Sequence, residues 1–381
     1  MVKRYSKTLL VVVVVMVLVL VTFAGCSGSS NNSASSSGSG DGYVITCTVG
    51  GAGTPIMVEY GTFATLVGKV YGNDTTVVDD QFRADMQMLN IQNAISKGVD
   101  GIITTPVYPE QVPAIAEMCE AAKIPFVFYD TDMTEPAYEK IKNNPYFVGM
   151  VTTDGDECGR QIAREALAAG CTKAVLIGGQ VGQDYFDRRA AGFTEVFEAG
   201  GGKVLGIARC TDPSEAPTKG EDLLSANRDT DCVYGMASDF IDGGTYTALE
   251  NLGLVENANV YCSNVFTRTA QYILDGKYES GNNGSNLPSQ IAHALLQNYL
   301  DGHPIKDPDG LPPYLKITTF MVTPANAEVY MKWFHDDDII PLSEATIKKL
   351  TYRFNDKVTY EDYYDLVKNQ MSVEKIAAMH N

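Results

Sequence analysis

Five places in this 381-residue chain set hydrogen-bonding side chains where a short apolar run stops. They are Asp130 with Thr131, the stretch from Gln183 through Tyr185 to Arg189, Ser238 with Asp239 and the adjoining Phe240, then Asn264, then Asn286. A carboxylate accepts from two adjacent hydroxyls, a guanidinium donates as a planar fork, and amides do both. Such groups can grip a small polar molecule reversibly, at about 1.5–3 kcal/mol for each charge-assisted bond. Tyr185 and Phe240 could cover its apolar sides. Singly, each residue has a plainer account: Asp239 reads equally as a helix N-cap, and Arg189 as half of a surface ion pair. Bond-making chemistry finds no support. There is no HExxH and no nucleophile elbow, and the four histidines (His293, His303, His335, His380) are scattered. His335, beside Asp336–Asp338, reads as a solvated turn rather than a metal site. Gly50, Gly51 and Gly53 miss the dinucleotide spacing, and Gly178, Gly179 and Gly182 lack the spacing and lysine of a phosphate loop. Tight turns are expected there, and no cofactor.

The elements that must position these groups are clearest over 98–131. Val99, Ile102 and Ile103 make a short strand apolar on both faces, and Val112, Ile115, Ala116, Cys119 and Ala122 recur at helical spacing. A second apolar strand, 124–130, then stops at Asp130. Strand, helix and strand over about thirty residues make a βαβ crossover and a parallel sheet, and open parallel sheets hold ligands at the carboxyl ends of their strands. The same rhythm runs from Tyr43 onward in two successive halves, the second starting near Asp154. It predicts an α/β fold of two doubly wound parallel-sheet lobes. A looser stretch is expected over 133–145, a Gly/Asn/Ser stretch before a helix at 288–300, and a late strand at 315–320. Residues 334–381 read as a polar, helical accessory extension packed on the second half.

The first 25 residues differ from the rest. Lys3, Arg4 and Lys7 precede an apolar run from Leu9 to Phe23, which ends in Ala24, Gly25 and Cys26. That is the layout of a secretory signal peptide. Residues 26–42, rich in Ser, Gly and Asn, make a flexible linker. The net charge of −18 argues against nucleic acid, which needs basic patches to neutralise phosphates. Of eight cysteines, the seven after Cys26 are odd in number and form no CxxC. They read as small core hydrophobes, with room for one or two bridges in an exported chain.

The stretches ISKGVDGII (95–103), IPFVFYD (124–130), RAAGF (189–193) and SDFIDGGTYTAL (238–249) occur in an order that resembles the periplasmic sugar-binding family typified by ribose-binding protein. Asn264, DGK (275–277) and NLPSQI (286–291) continue the match, which covers about 43–330. The resemblance implies a type I periplasmic binding protein: two lobes, a hinge crossed three times near 152–154, 286–288 and 318–322, and a sugar in the cleft. It implies lobes of 43–152 with 287–318 and of 153–286 with 319–333. The ending at Cys26 resembles a lipobox, which implies a lipidated cysteine holding the protein to the membrane outside the cytoplasm. An ABC permease would be the partner of a monomeric binding protein, with neither enzyme activity nor metal. The same cleft would serve a receptor reporting occupancy to a chemotaxis or sensor-kinase partner. Carried over, Asp130 grips sugar hydroxyls, with Thr131 where Arg or Asn often follows. Arg189 is the hydroxyl-binding arginine of an RxxGF motif. Ser238 stands in for a contact Asn and Asp239 is its helix-capping neighbour. Asn264 replaces an Asp, and Asn286 stands where Gln or Asn is usual. The family's aromatic turn after the first strand is missing, since 53–57 contains no aromatic residue.

Overall fold

Apolar runs that end in polar residues alternate here with amphipathic stretches, and they fold as strands with helical crossovers. The computed structural model describes residues 42–242, 244–335 and 338–381. Segment 1–25, Cys26 and the linker up to residue 41 lie outside them. The first lobe takes β1 (Val44–Val49), α1 (Pro55–Tyr71), β2 (Asp74–Asp79), α2 (Ala84–Lys97), β3 (Gly101–Thr104), α3 (Val112–Ala122), β4 (Phe126–Asp130), α4 (Glu135–Ile141) and β5 (Phe147–Thr153). The second follows with α5 (Gly155–Ala168), β6 (Lys173–Gly179), α6 (Asp184–Ala199), β7 (Lys203–Cys210), α7 (Ala216–Ala226) and β8 (Cys232–Gly235). It continues with α8 (Ser238–Asp242), α9 (Thr245–Leu252), β9 (Asn259–Ser263), α10 (Thr267–Leu274) and β10 (Ser280–Asn283). Helix α11 (Pro288–Leu300) returns to the first lobe, where β11 (Tyr314–Ile317) joins the sheet, and β12 (Phe320–Val322) joins the other. Four helices end the chain: α12 (Ala327–Phe334), α13 (Glu344–Lys349), α14 (Tyr360–Asn369) and α15 (Val373–Ala378).

The sheets run β11-β5-β4-β3-β1-β2 and β12-β10-β9-β8-β6-β7, the same winding twice. Every pairing is parallel except that of β12 with β10. Central strands are buried on both faces, as in β3, where Ile102 and Ile103 are both fully covered. The chain changes lobe at Asp154, at 284–287 and at 318–319, so the two sheets are joined by a three-stranded hinge.

Two glycines fix the arrangement of the helices that carry the candidate site residues. A Cβ on Gly159 of α5 would lie 2.1 Å from the Arg189 carbonyl oxygen, and one on Gly192 of α6 2.1 Å from that of Asp156. The two backbones therefore touch at their crossing, which no larger residue permits. This contact sets where α6 projects Arg188 and Arg189, and it gives the glycine of RAAGF its physical reason.

Three expectations change. The looser stretch 133–145 contains α4, started by the Thr134 hydroxyl accepting from the Ala137 N–H and too short to show periodicity. The Gly/Asn/Ser stretch contains β10, a strand without β-formers that is buried between β9 and β12. The extension is not an accessory to the second lobe but straddles both. Helix α13 packs on α1 and α11, and α14 on β11, while α15 returns to α12 and β12. Asn298 of α11 donates to the Leu350 carbonyl (2.8 Å) and the Tyr363 hydroxyl (2.9 Å), the Tyr71 hydroxyl donates to the Ile347 carbonyl (3.0 Å), and Thr318 N–H in the hinge donates to the Val367 carbonyl (2.9 Å). Leu342, Ile347, Tyr363, Val367 and Ile376 are fully buried. Among the described residues no helix is long and apolar enough to cross a membrane.

Candidate ligand-binding site

Strand β4 ends at Asp130 and β9 runs out at Asn264, one in each lobe, and both residues take a left-handed backbone (φ 65° and 58°). Neither is glycine, and such conformations cost of order 1–3 kcal/mol and gather at functional sites. Asp130 accepts a 2.5 Å hydrogen bond from the Tyr60 hydroxyl of α1, and its own carbonyl accepts from Thr152 Oγ1. Burial pushes the Asp130 carboxyl up to about 6, against the downward pull of the Tyr60 hydroxyl and of the Arg189 charge in the other lobe. The site thus already spans the cleft electrostatically.

Arg189 is fully buried in the second lobe. Its guanidinium lies 3.8 Å from the centre of the Tyr185 ring. One end donates to the Met236 carbonyl, and the other to Asn264 Oδ1 at 2.9 Å. Asn264 Oδ1 also accepts from the Tyr185 hydroxyl (2.8 Å) and from Ser285 Oγ in the hinge (2.9 Å). These partners are all neutral, and Arg189 Nε has none. A buried cation so placed calls for an acceptor from outside. Next to the Met236 contact, Ser238 Oγ is also buried without a partner. Asp239 follows it, and burial, with a smaller push from Asp242, raises its carboxyl to about 6.

Asp130, Tyr185, Arg189 and Asn264 are therefore brought together, and Ser238 and Asp239 adjoin them through Met236. Thr131 stands beside Asp130 and its hydroxyl accepts from Thr105 Oγ1 at 3.2 Å. Phe240 is buried edge-on against Phe186. Gln183 lies exposed at the start of α6, and among the described residues no hydrogen bond joins its side chain to the group. Asn286 is buried in the hinge, with Nδ2 3.4 Å from the Phe334 carbonyl and Oδ1 unpartnered.

Several participants were not anticipated. Tyr60 orients Asp130. Arg188, next to the predicted arginine, spans the lobes: it bonds Asp156 Oδ2 in its own lobe (2.7 and 3.0 Å) and Asp132 in the other. Asp132 is held in turn by the Tyr314 hydroxyl and by Lys316 at 3.2 Å. Burial would raise the Asp132 carboxyl, but the Tyr314 hydroxyl and the charges of Lys316 and Arg188 outweigh it and leave it lowered. A second bridge joins His335 Nδ1 to Glu59 of α1 at 2.5 Å, while His335 Nε2 meets the Tyr330 hydroxyl (2.9 Å) and the Val265 carbonyl (3.1 Å). His335 is thus buried between lobes rather than solvated, because the extension carries it there. Only a proximity search across the two halves could have found these pairs. His293, also buried, donates from Nδ1 to the Ala64 carbonyl (2.9 Å) and accepts at Nε2 from Asn73 Nδ2 (3.1 Å), and burial lowers it to about 4. Among the described residues no cluster of three His, Cys, Asp or Glu could hold a metal ion.

Two lobes of identical winding also describe proteins of known structure. An ABC transporter periplasmic solute-binding protein of Actinobacillus succinogenes with bound D-allose superposes with a TM-score of 0.68 at 20% identity, over 76% of this chain and 100% of that one. The arabinose transporter's periplasmic binding protein of Shewanella, bound to L-arabinofuranose, gives 0.66 at 20%, over 76% and 94%. A solute-binding protein of Bacillus halodurans with myo-inositol gives 0.64 at 20%, over 78% and 99%. At such identities the likeness is one of fold. Comparison with curated protein sequences finds no match. The family model described as the periplasmic binding protein domain matches residues 45–304, most of the two lobes and more than half of the chain, and the protein belongs to that family.

Proposed function

We propose that this protein is the extracytoplasmic solute-binding component of an ABC importer, held to the membrane through a lipidated Cys26, and that its lobes close on a sugar or polyol. One observation carries the reading most: Arg189, buried among neutral partners with Nε unsatisfied, faces the Asp130 carboxylate of the opposite lobe across the cleft. A polyhydroxylated ligand supplies what both lack, acceptors for the guanidinium and donors for the carboxylate. Ser238 Oγ and the Asn264 amide nitrogen add a hydroxyl and a donor on the same side. Closure follows from differential contact, since a ligand touching both lobes favours the state in which both are near. The lobes would be 43–152 with 287–318 and 153–286 with 319–333. The sugars and polyols held by the structural relatives support this class of ligand. A thermal-shift screen of the purified protein against pentoses, hexoses in both ring forms, inositols and nucleosides tests it. A ligand at about 100 times its dissociation constant adds roughly 2.7 kcal/mol of stability, and stabilisation by no member of the sugar and polyol set would reject the reading.

A further inference from the structure

Among the seven cysteines that follow the linker, Cys171 and Cys232 stand apart because the fold clamps their two segments side by side. Cys171 lies just before β6, and Cys232 opens β8, the neighbouring strand. The Asp231 carboxylate clamps the two segments together, accepting from the Thr172 N–H (2.9 Å), the Lys173 N–H (2.8 Å) and the Thr172 hydroxyl (2.7 Å). Cys171 Sγ lies 3.5 Å from the Asp231 carbonyl oxygen, one residue from Cys232. It also lies 3.5 Å from Asn259 Nδ2, and Asn259 is the residue opposite Cys232 in the β8–β9 register. Both thiols belong to one apolar cluster under α5 and α6, with Ala166, Ala174 and Tyr234. Both are reduced and buried here.

We propose that Cys171 and Cys232 form a disulfide when the folded protein meets a disulfide-bearing oxidant. Cys171, at the rim of the sheet, makes the first attack. The hydrogen bond from the Cys232 thiol holds the Cys171 thiol below its ordinary value, whereas burial holds that of Cys232 up. The Cys171 thiolate attacks one sulfur of the oxidant and releases the other as a thiolate, leaving a mixed disulfide. Cys232 then gives up its proton to solvent and its sulfur attacks Cys171, expelling the second oxidant thiolate. Two protein thiols are oxidised and one external disulfide is reduced. The closed loop contains β6, α6, β7 and α7, so the bond would staple the unit that carries Arg188 and Arg189. It lies at the amino ends of the strands, away from the site at their carboxyl ends. Stability should therefore change and ligand affinity should not.

The test oxidises the full chain with oxidised glutathione, alkylates remaining thiols under denaturing conditions, and maps the peptides by mass spectrometry. The expected result is a linked peptide pair joining Cys171 to Cys232, with a melting temperature several degrees above that of the dithiothreitol-reduced protein. Recovery of both residues as separate alkylated peptides, Cys171 persisting as a glutathione adduct, or Cys232 joined to another cysteine would overturn the proposal. In Cys171→Ala the difference in melting between oxidised and reduced protein should vanish, and its persistence would also overturn it. Should that variant misfold, the peptide map of the unsubstituted chain decides alone.

Discussion

Replacing Arg188 by Gln tests the proposed lobe closure apart from ligand contact. Arg188 and Asp132 belong to different lobes, so opening the cleft must separate them. Their side chains are 22% and 10% exposed, which places the pair between a surface ion pair and a buried one. A charge-assisted hydrogen bond contributes about 1.5–3 kcal/mol, and partial exposure reduces that to about 1–2 kcal/mol. The substitution orphans nothing, because Asp132 keeps Lys316 and Tyr314, and Asp156 is partly exposed. The whole loss should therefore fall on the closed state and weaken ligand binding by roughly 5–30-fold, at 1.4 kcal/mol per tenfold, with little change in the melting of the ligand-free protein. Calorimetric titration of the best sugar or polyol at low and high salt measures it. The unsubstituted protein should lose more affinity with salt than Arg188→Gln does. Equal affinities, or equal salt dependence, would refute the idea that this bridge holds the lobes together.

Other outcomes follow from the same geometry. Asp130 has a raised value in the fold, so the folded state binds the extra proton between the ordinary carboxylate range and about 6. The ligand-free protein should therefore gain stability as pH falls through about 6, while binding, if the carboxylate accepts from the ligand as proposed, should weaken over the same range. Asp130→Asn should abolish most of the pH dependence of affinity, and a titration series from pH 7.5 to 5 that is flat for the parent protein would contradict this. Gly192→Ala drives a Cβ to 2.1 Å from the Asp156 carbonyl oxygen, and separating two helix backbones should cost about 1–3 kcal/mol or more. Melting should drop by several degrees, and unchanged melting would show that the helices can part freely. Truncation after residue 343 removes the buried Ile347, Tyr363, Val367 and Ile376, each worth about 1.5–3 kcal/mol. The shortened chain should lose cooperative unfolding, and a native-like melt would make the extension dispensable.

The lobes were legible in the sequence because parallel strands buried on both faces leave short apolar runs with polar ends, and Asp130, Arg189 and Asn264 sit where such runs stop. What escaped shows where that signal ends. Strand β10 consists of Ser, Gly and two Asn, and pairs because its neighbours surround it, not because its residues favour a strand. Arg188 was overlooked beside Arg189 because its meaning lies in Asp132, 56 residues away in the other lobe. The Glu59–His335 bridge spans 276 residues and runs through an extension that looked peripheral for its polarity, although one face of it is core. Tyr60 lies on the core face of α1, where the helical pattern explains its ring and leaves its hydroxyl unassigned until Asp130 is placed beside it.

The central claim is that a sugar or polyol completes the hydrogen bonding of Arg189 opposite Asp130. The most direct measurement is calorimetric titration of the strongest thermal-shift ligand into the parent protein and into Arg189→Met, with circular dichroism confirming that the variant is folded. The account predicts saturable one-site binding by the parent and a loss of about 10- to 100-fold in the variant, the equivalent of one buried charge-assisted bond. Matching dissociation constants in the two folded proteins would contradict it.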